Sequence, residues 1–186
     1  ELGYKQVGNN FPVFLHPETN EEYALARREI KSGQGHKDFE FIFTPDVTIE
    51  EDLNRRDLTI NAMAKDSHGE LIDPFNGQID LKNKVFKHVS DAFYEDPLRA
   101  LRVARFKAQL PTFDIHGSTK DALKTISKTG ELGCLSSERV WGEVAKSLNS
   151  KFDQFLTVIK DYDLSEPWFS RIENIPNFKS DIPEII

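Results

Sequence analysis

The character of the sequence changes near Ser90, and this change constrains the fold class. Before Ser90, short extended segments alternate with turns, as at 11–16, 22–27 and 85–89. After it, segments of helical character follow one another, at 97–110, 119–129, 137–149 and 152–161. Strands followed by a run of helices are typical of α+β chains. We therefore predict a mixed-sheet domain at 1–89, followed by an all-helical part at 90–186.

Shorter signals add detail to the first part. The turn-forming residues at 17–20 predict a hairpin between 11–16 and 22–27. The polar, glycine-rich run at 31–38 predicts a flexible loop. Thr48 and Glu51 have the spacing of a capping box, so a helix is expected to begin there and run through Leu53. A second short helix at 58–64, a strand at 70–73 and a turn at 73–77 are also predicted.

The net charge of the chain limits how it can meet nucleic acid. At −7 the chain is acidic, whereas proteins that bind nucleic acid through phosphate contacts are usually basic. Any nucleotide or RNA must therefore be held by a local concentration of positive charge.

The cysteine content and the absence of long apolar segments indicate the compartment. Cys134 is the only cysteine, so the chain cannot form an internal disulfide or a cysteine zinc site, and a reducing cytoplasm is expected. No stretch approaches the roughly 20 apolar residues of a membrane helix, so no membrane association is predicted. The chain starts without Met and without a signal-peptide pattern, and we expect its beginning to be missing.

The segment 95–106 carries the strongest chemical signal. At about 100° per residue, Arg99, Arg102 and Arg105 share one third of the helix circumference; we call them the arginine ridge. Asp96 stands at the start of this helix, just before Pro97. A carboxylate beside guanidinium groups can match a base that presents an amine next to a ring acceptor, and further arginines can hold phosphates. From the residues alone, an N-cap with ordinary surface ion pairs is an equally good interpretation.

A second candidate lies at Arg55-Arg56-Asp57. Two arginines and an aspartate at a helix start can bind phosphate and ribose hydroxyls. Solvent-facing arginines with Asp57 as a cap are the simpler alternative, and residues alone favour it.

Other polar and aromatic residues carry weaker signals. Glu22, on a predicted strand, could assist a metal site, but an exposed glutamate is the simpler interpretation. The five histidines lack the spacing of metal ligands. Cys134 is expected to pack in the core, and so is Trp141, which stands beside Val140 in a helix, rather than stacking on a base.

Three segments in this order resemble the class II tRNA nucleotidyltransferases of bacteria. They are 8–27, 52–62 and 95–106, and the turn at 73–77 and the run Glu138-Arg-Val-Trp141 add to the match. The resemblance extends from about residue 3 to about residue 160. It implies a nucleotidyltransferase head domain ending near residue 89, then a helical neck and the start of an RNA-binding body.

The resemblance also implies a function and roles for particular residues. Enzymes of this family add C, C and A to tRNA 3′ ends from CTP and ATP, without a nucleic-acid template. Asp96 and Arg99 would read the incoming base. Arg56, Arg102 and Arg105 would contact the nucleotide, mainly its phosphates, and Asp57 would lie near the ribose. The loop at 31–38 would help the switch from CTP to ATP.

The family's metal site has no counterpart in the sequence. Its glycine-rich phosphate motif and paired aspartates, which hold two Mg²⁺ ions, are expected upstream of Glu1. Glu22 is then at best a supporting carboxylate, and the chain is predicted to bind nucleotide without transferring it.

Two other functions remain open. The related bacterial poly(A) polymerases share the arginine and aspartate motifs, although the 11–14 strand and the 21–27 run resemble the CCA-adding enzymes, and enzymes adding only CC or only A are close variants. A non-catalytic nucleotide- or RNA-binding module is the alternative from a different class.

Overall fold

A computed structural model of the chain describes residues 3–7, 13–31, 39–42, 44 and 46–171. The fold is α+β, as predicted. Short strands and two short helices occupy the first part, and four longer helices occupy the second. Within the described residues the sheet component consists of one three-stranded sheet and three two-stranded pairs.

The predicted hairpin is confirmed. Strands β1 (Lys5–Val7), β2 (Val13–Leu15) and β3 (Glu22–Ala24) form an antiparallel sheet in chain order. Leu15 lies opposite Glu22 across the β2–β3 turn.

A further antiparallel pair follows this sheet. Strands β4 (Arg28–Lys31) and β5 (Phe39–Ile42) were not predicted as strands. They flank the predicted flexible loop: Lys31 ends β4, and 32–38 lie outside the described residues.

The capping box produces the first helix, α1 (Ile49–Asn54). The Thr48 hydroxyl accepts the N–H of Glu51, and the Glu51 carboxylate accepts the N–H of Thr48. Both backbone donors would otherwise be unpaired at the helix start. This helix holds Asp52 and leads directly into Arg55 and Arg56.

The predicted helix at 58–64 is wrong. Only a 3₁₀ turn forms, at Thr59–Asn61, because Leu58 is extended and forms a β-bridge with His88. Strands β6 (Ala64–Lys65) and β7 (Leu71–Ile72) then pair.

Helix α2 (Gly77–Asn83) was not predicted. It starts where Asp73 accepts the backbone N–H groups of Gly77 and Gln78. Gly77 packs so closely on the 3₁₀ turn that an added Cβ would overlap the backbone oxygen of Thr59.

The four predicted helices of the second part are confirmed. They are α3 (Leu98–Gln109), α4 (Gly117–Thr129), α5 (Ser137–Leu148) and α6 (Phe152–Asp161). Helix α3 packs against both α5 and α6. Its buried residues Leu101 and Val103 belong to one apolar cluster with Leu123 of α4 and Phe155 of α6. Burial of such side chains stabilises by about 1.5–3 kcal/mol each.

Strand pairing crosses the predicted boundary near Ser90. Strand β8 (Val85–Phe86) pairs in parallel with β9 (Asp114–Ile115). The Phe86 ring stacks on Phe113 at 5.0 Å between centroids and lies in the same apolar cluster as the helices. The sheet-containing and helical parts therefore share a core at this point. No helix among the described residues is long and apolar enough to cross a membrane.

Candidate nucleotide-binding site

Asp96 stands at the start of α3 and caps it. Its Oδ1 accepts the N–H of Leu98 at 3.2 Å, as the N-cap prediction requires. Its Oδ2 accepts from Nη2 of Arg139 on α5 at 2.8 Å. The backbone of Asp96 is extended, directly after the 3₁₀ turn Asp91–Glu95. The carboxylate is thus fixed through both oxygens at the junction of three elements.

Arg99 is buried rather than exposed on the helix surface, with 9% of the residue accessible. Its Nη1 donates to the backbone oxygen of Ala92 at 2.7 Å, and its Nη2 donates to that of Arg55 at 2.5 Å. The guanidinium therefore joins α3 to the turn before it and to the segment after α1. This places Arg99 next to the Arg55-Arg56-Asp57 segment, so the structure brings the two candidate motifs together.

Arg102 forms an ion pair with Asp57. The Arg102 Nε and Nη2 atoms lie 2.7 and 2.6 Å from Oδ2 of Asp57. The other carboxylate oxygen of Asp57 accepts the N–H of Leu58 and the amide of Asn61. Asp57 is 5% exposed. The Asp57 carboxylate therefore contacts Leu58, Asn61 and Arg102. These contacts orient the half-buried side chain of Arg102.

Arg105 lies deeper along the same helix face. Its Nε donates to the buried carboxylate of Glu143 at 2.5 Å, and its Nη1 donates to Gln109 at 2.8 Å. The guanidinium carbon lies 3.9 Å from the centre of the Phe106 ring. The arginine ridge is therefore buried or half-buried over its whole length, and it does not form ordinary surface ion pairs.

Asp52 is a site residue that sequence reasoning missed. This buried carboxylate accepts from Arg55 at 2.6 Å, from Arg56 at 3.3 Å and from the backbone N–H of Arg27 at 3.2 Å. Burial raises the pKa of Asp52, but the hydrogen bond and charge of Arg55, with Arg27 and Arg56, outweigh it and hold the pKa below its ordinary value. The i,i+3 and i,i+4 spacing from Asp52 to the two arginines was the available signal.

An open cleft lies beside these residues. Its volume is about 640 Å³, and its lining includes Arg55, Ala92 and Glu95. Clefts of about 300–1,000 Å³ hold small ligands. Arg99 hydrogen-bonds the backbone of two lining residues, Arg55 and Ala92, and Glu95 directly precedes Asp96. Asp96 and Arg99 themselves do not line the cleft, whose lining also includes the acidic residues Glu50, Glu51, Asp91 and Glu95.

Glu22 lies apart from the residues described above. It is exposed on β3, where it lies opposite Leu15 of the neighbouring strand β2. Within the described ranges no three His, Cys, Asp or Glu side chains are grouped so that they could hold a metal ion. This finding concerns sites built from three or more such side chains, whereas Mg²⁺ is usually bound by one or two carboxylates together with substrate phosphates.

Two predictions about single side chains are wrong. Trp141 is 61% exposed, because Val140 and Glu143 form the buried face of α5 and position 141 lies on the opposite face. Cys134 is also exposed, because it ends the short 3₁₀ turn Glu131–Cys134 instead of packing in the core.

Comparison with known proteins places these features in a family. The family model of the poly(A) polymerase head domain matches residues 6–87. A multifunctional CCA protein from Pseudoalteromonas atlantica is 52% identical over 98% of this chain and 47% of its own length. The chain thus spans about half the length of this relative.

Solved structures agree with the sequence comparison. The Bacillus stearothermophilus CCA-adding enzyme in complex with CTP superimposes with a TM-score of 0.68 at 28% identity, covering 86% of this chain and 39% of that one. A tRNA nucleotidyltransferase with a primer tRNA and an incoming ATP analogue gives a TM-score of 0.69 at 31% identity, covering 88% and 46%. On these grounds the chain belongs to the family of the CCA-adding tRNA nucleotidyltransferases.

Proposed function

We propose that the protein selects CTP and ATP for the addition of C, C and A to tRNA 3′ ends. One observation carries the proposal. Asp96 and Arg99, the pair implied to read the base, lie three residues apart at the start of α3, and Arg99 contacts the backbone of Arg55 and Ala92, which line an open cleft. The family relationship supports the same function, because relatives carry this activity in their names.

The chemistry of the two side chains explains the choice of base. Cytosine and adenine both present an exocyclic amine next to a ring nitrogen acceptor. A carboxylate such as that of Asp96 only accepts hydrogen bonds, and the Arg99 guanidinium only donates them. Guanine and uracil present a carbonyl and a ring N–H at these positions, so both contacts would be repulsive and the buried groups would stay unpaired.

The remaining arginines are proposed to bind the phosphates. Arg56 and Arg102 are half-exposed, and their contacts with Asp52 and Asp57 occupy only some of their five N–H groups. Arg105 is more deeply buried, and we propose that its positive charge attracts the phosphates without direct contact. Asp57 is proposed to act near the ribose mainly by holding Arg102, because its own carboxylate is almost fully buried.

Mg²⁺ and tRNA are proposed as the cofactor and the second substrate. The ion would be held by the family's paired aspartates, and Glu22 would at most support them. We propose that this chain binds the nucleotides and that transfer depends on the ion held by those aspartates. Cytoplasmic location is proposed, since that is where tRNA is processed.

Calorimetric titration of the chain with each of the four nucleoside triphosphates tests the proposal. CTP and ATP should bind, whereas GTP and UTP should bind at least tenfold more weakly, a difference of about 1.4 kcal/mol. Arg99→Ala should abolish the preference. Arg99→Lys keeps the charge but lacks the planar set of donors, so this variant should lose most of the preference for CTP and ATP. Equal affinity of the unaltered chain for all four would contradict the proposal.

A poly(A) polymerase is the second candidate, because the matching family model describes the head domain of those enzymes. The same titrations separate the two functions. A poly(A) polymerase site should favour ATP strongly over CTP, whereas a CCA-adding site should bind both.

A further inference from the structure

Helix α4 carries a row of lysines on its solvent-facing side. Lys120, Lys124 and Lys128 follow one another at intervals of four residues, and all three are exposed. Successive members are displaced by about 40° around the helix and by about 6 Å along it. The three side chains therefore leave the helix from one face, over a length of about 12 Å. We call these three residues the lysine row.

The lysine row differs from the arginines of the proposed site in having no carboxylate partner. Arg56 and Arg102 are paired with Asp52 and Asp57. By contrast, no member of the row forms an ion pair with any residue that the structure describes. Asp121 is the one acidic residue of α4. Three lysines against one aspartate leave this helix with an excess of positive charge that is open to solvent.

The charge of α4 stands out in a chain whose net charge is −7. Among the α-helices of the described ranges, α3 and α4 alone have a net positive charge. The arginines of α3 are buried or half-buried, and its Lys107 donates to the backbone oxygens of Pro111 and Phe113. Helix α4 therefore provides the kind of local positive surface that an acidic chain needs in order to bind a polyanion.

The neighbouring turn after α6 leaves the row accessible. Asp163, in this turn, contacts α4 through its backbone oxygen, which accepts the hydroxyl of Ser127. Its carboxylate forms no ion pair with the row. Because an unpaired lysine is almost never fully buried, a row of three is expected to meet a charged ligand at the surface and not an apolar protein face.

The first turn of α4 lies beside the segment that leads into the proposed nucleotide site. The hydroxyl of Thr119 accepts the backbone N–H of His88. Helix α4 also contacts the 3₁₀ turn Asp91–Glu95, which ends directly before Asp96. The lysine row begins one residue after Thr119 and continues along the helix away from this contact. A polyanion that lies along the row would therefore have one end near the proposed site.

We propose that the lysine row holds the phosphate backbone of tRNA. The proposal rests on the proposed function, because it takes tRNA to be the partner. Each lysine supplies a point charge with three donors on a flexible stem. Contacts with phosphates fix the position of a nucleic acid without reading its sequence. Such a surface suits a protein that acts on the 3′ ends of tRNAs whose sequences differ.

A triple variant that replaces each lysine of the row by glutamine tests the proposal. The measurement is filter binding of a tRNA transcript that lacks its CCA end to the full chain, between 50 and 200 mM salt. At the lowest salt concentration the row variant should bind at least about tenfold more weakly. The slope of log affinity against log salt concentration should decrease by about two to three, since each lost phosphate contact removes nearly one unit.

A matched control removes the same charge from exposed lysines in three other parts of the chain. Its substitutions are Lys5→Gln, Lys65→Gln and Lys151→Gln. Because the net charge of this control equals that of the row variant, it separates a local contact from a general electrostatic effect. The control should change the affinity for tRNA by less than about threefold and keep the slope.

Calorimetric titration with CTP, together with circular dichroism to verify folding, completes the experiment. The row variant should bind CTP as tightly as the unaltered chain does. Three results overturn the proposal: an equal loss of tRNA affinity in the control, an unchanged salt slope in the row variant, or a parallel loss of CTP affinity, which would indicate a triphosphate site. An unaltered chain that binds CTP no better than UTP would instead overturn the proposed function, whereas the row variant would still lose affinity for RNA.

Discussion

Most charged residues of the proposed site are held by a partner that comes from elsewhere in the chain, whereas Arg56 pairs with Asp52 four residues before it. Asp57 lies 45 residues before its partner Arg102, and Glu143 lies 38 residues after Arg105. The shared face of the three arginines on α3 was predictable from helical spacing. Their partners were not, because ion pairs between distant segments depend on how those segments pack. The same limit explains Trp141, whose orientation depends on which face of α5 meets α3.

Gly77 shows how closely two single residues can approach. Gly77→Ala should destabilise the protein by about 1–3 kcal/mol, because the new methyl group would overlap the backbone of Thr59 and press on Met63 Cγ at 2.9 Å. Gly142→Ala is the matched control. It lies within α5 with nothing within 4 Å of the added carbon, so it should stabilise by about 0.5–1 kcal/mol. Urea unfolding measures both, and a stable Gly77→Ala variant would contradict the packing described.

Local sequence signals predicted some elements and missed others. The capping box gave the start of α1, and the four helices of the second part lie within one or two residues of their predicted bounds. The helix predicted at 58–64 does not form, because backbone hydrogen bonds with 87–89 hold Leu58 and its neighbours in an extended conformation. Helix α2 was missed because it follows a turn motif whose aspartate, Asp73, also caps it.

The capping box of α1 can be tested directly. Thr48→Ala should lower the free energy of unfolding by about 1 kcal/mol, because the N–H of Glu51 would lose its acceptor at the helix start. Thr157→Ala in the interior of α6 serves as control. There the hydroxyl returns to the backbone oxygen of Asp153, which is already part of the helix. Midpoints of urea unfolding should therefore shift clearly for Thr48→Ala and little for Thr157→Ala; equal shifts would argue against a role for the cap.

At the scale of the molecule, the core crosses the predicted domain boundary. Leu58 and Phe86 belong to the same apolar cluster as α3, α4 and α6. His88 adds a polar link, since its backbone N–H and ring nitrogen both contact the hydroxyl of Thr119 on α4. The secondary structure therefore changes from strands to helices near Ser90, but the residues on both sides of this change share one apolar core.

His88 predicts how stability depends on pH. Burial lowers the pKa of His88, and nearby Asp91 opposes this effect without reversing it. Because its pKa is lower in the folded state, the unfolded chain binds more protons. The stability it contributes is present above about pH 6.5 and is lost as pH falls through the folded pKa. The pKa of Asp52 is also lowered in the folded chain, so a second loss of folding stability is expected below about pH 4.

Thermal unfolding across pH 5–8 measures this effect. The melting temperature should fall below about pH 6.5, and His88→Gln should flatten that fall. His68→Gln, in an exposed turn, should leave it unchanged. An identical pH profile in the His88 variant would show that another group is responsible.

The acidity of the whole chain predicts weak, salt-sensitive binding of tRNA. With a net charge of −7, only a local patch can meet the phosphates, and each phosphate contact releases a counterion. Affinity measured by filter binding should fall steeply between 50 and 200 mM salt, by about tenfold or more. Affinity that does not change with salt would exclude phosphate contacts as its source.

The sequence by itself determined the change from strands to helices, the helix starts and the family motifs. These features depend on residues that are near one another in the chain, through helical periodicity, caps and turns. Tertiary structure alone decided that Asp96 meets Arg139, that Arg99 reaches the backbone of Arg55, and that the backbone N–H of Arg27 meets Asp52. Such contacts form only when distant segments pack and buried charges must find partners, and that is a property of the folded chain as a whole.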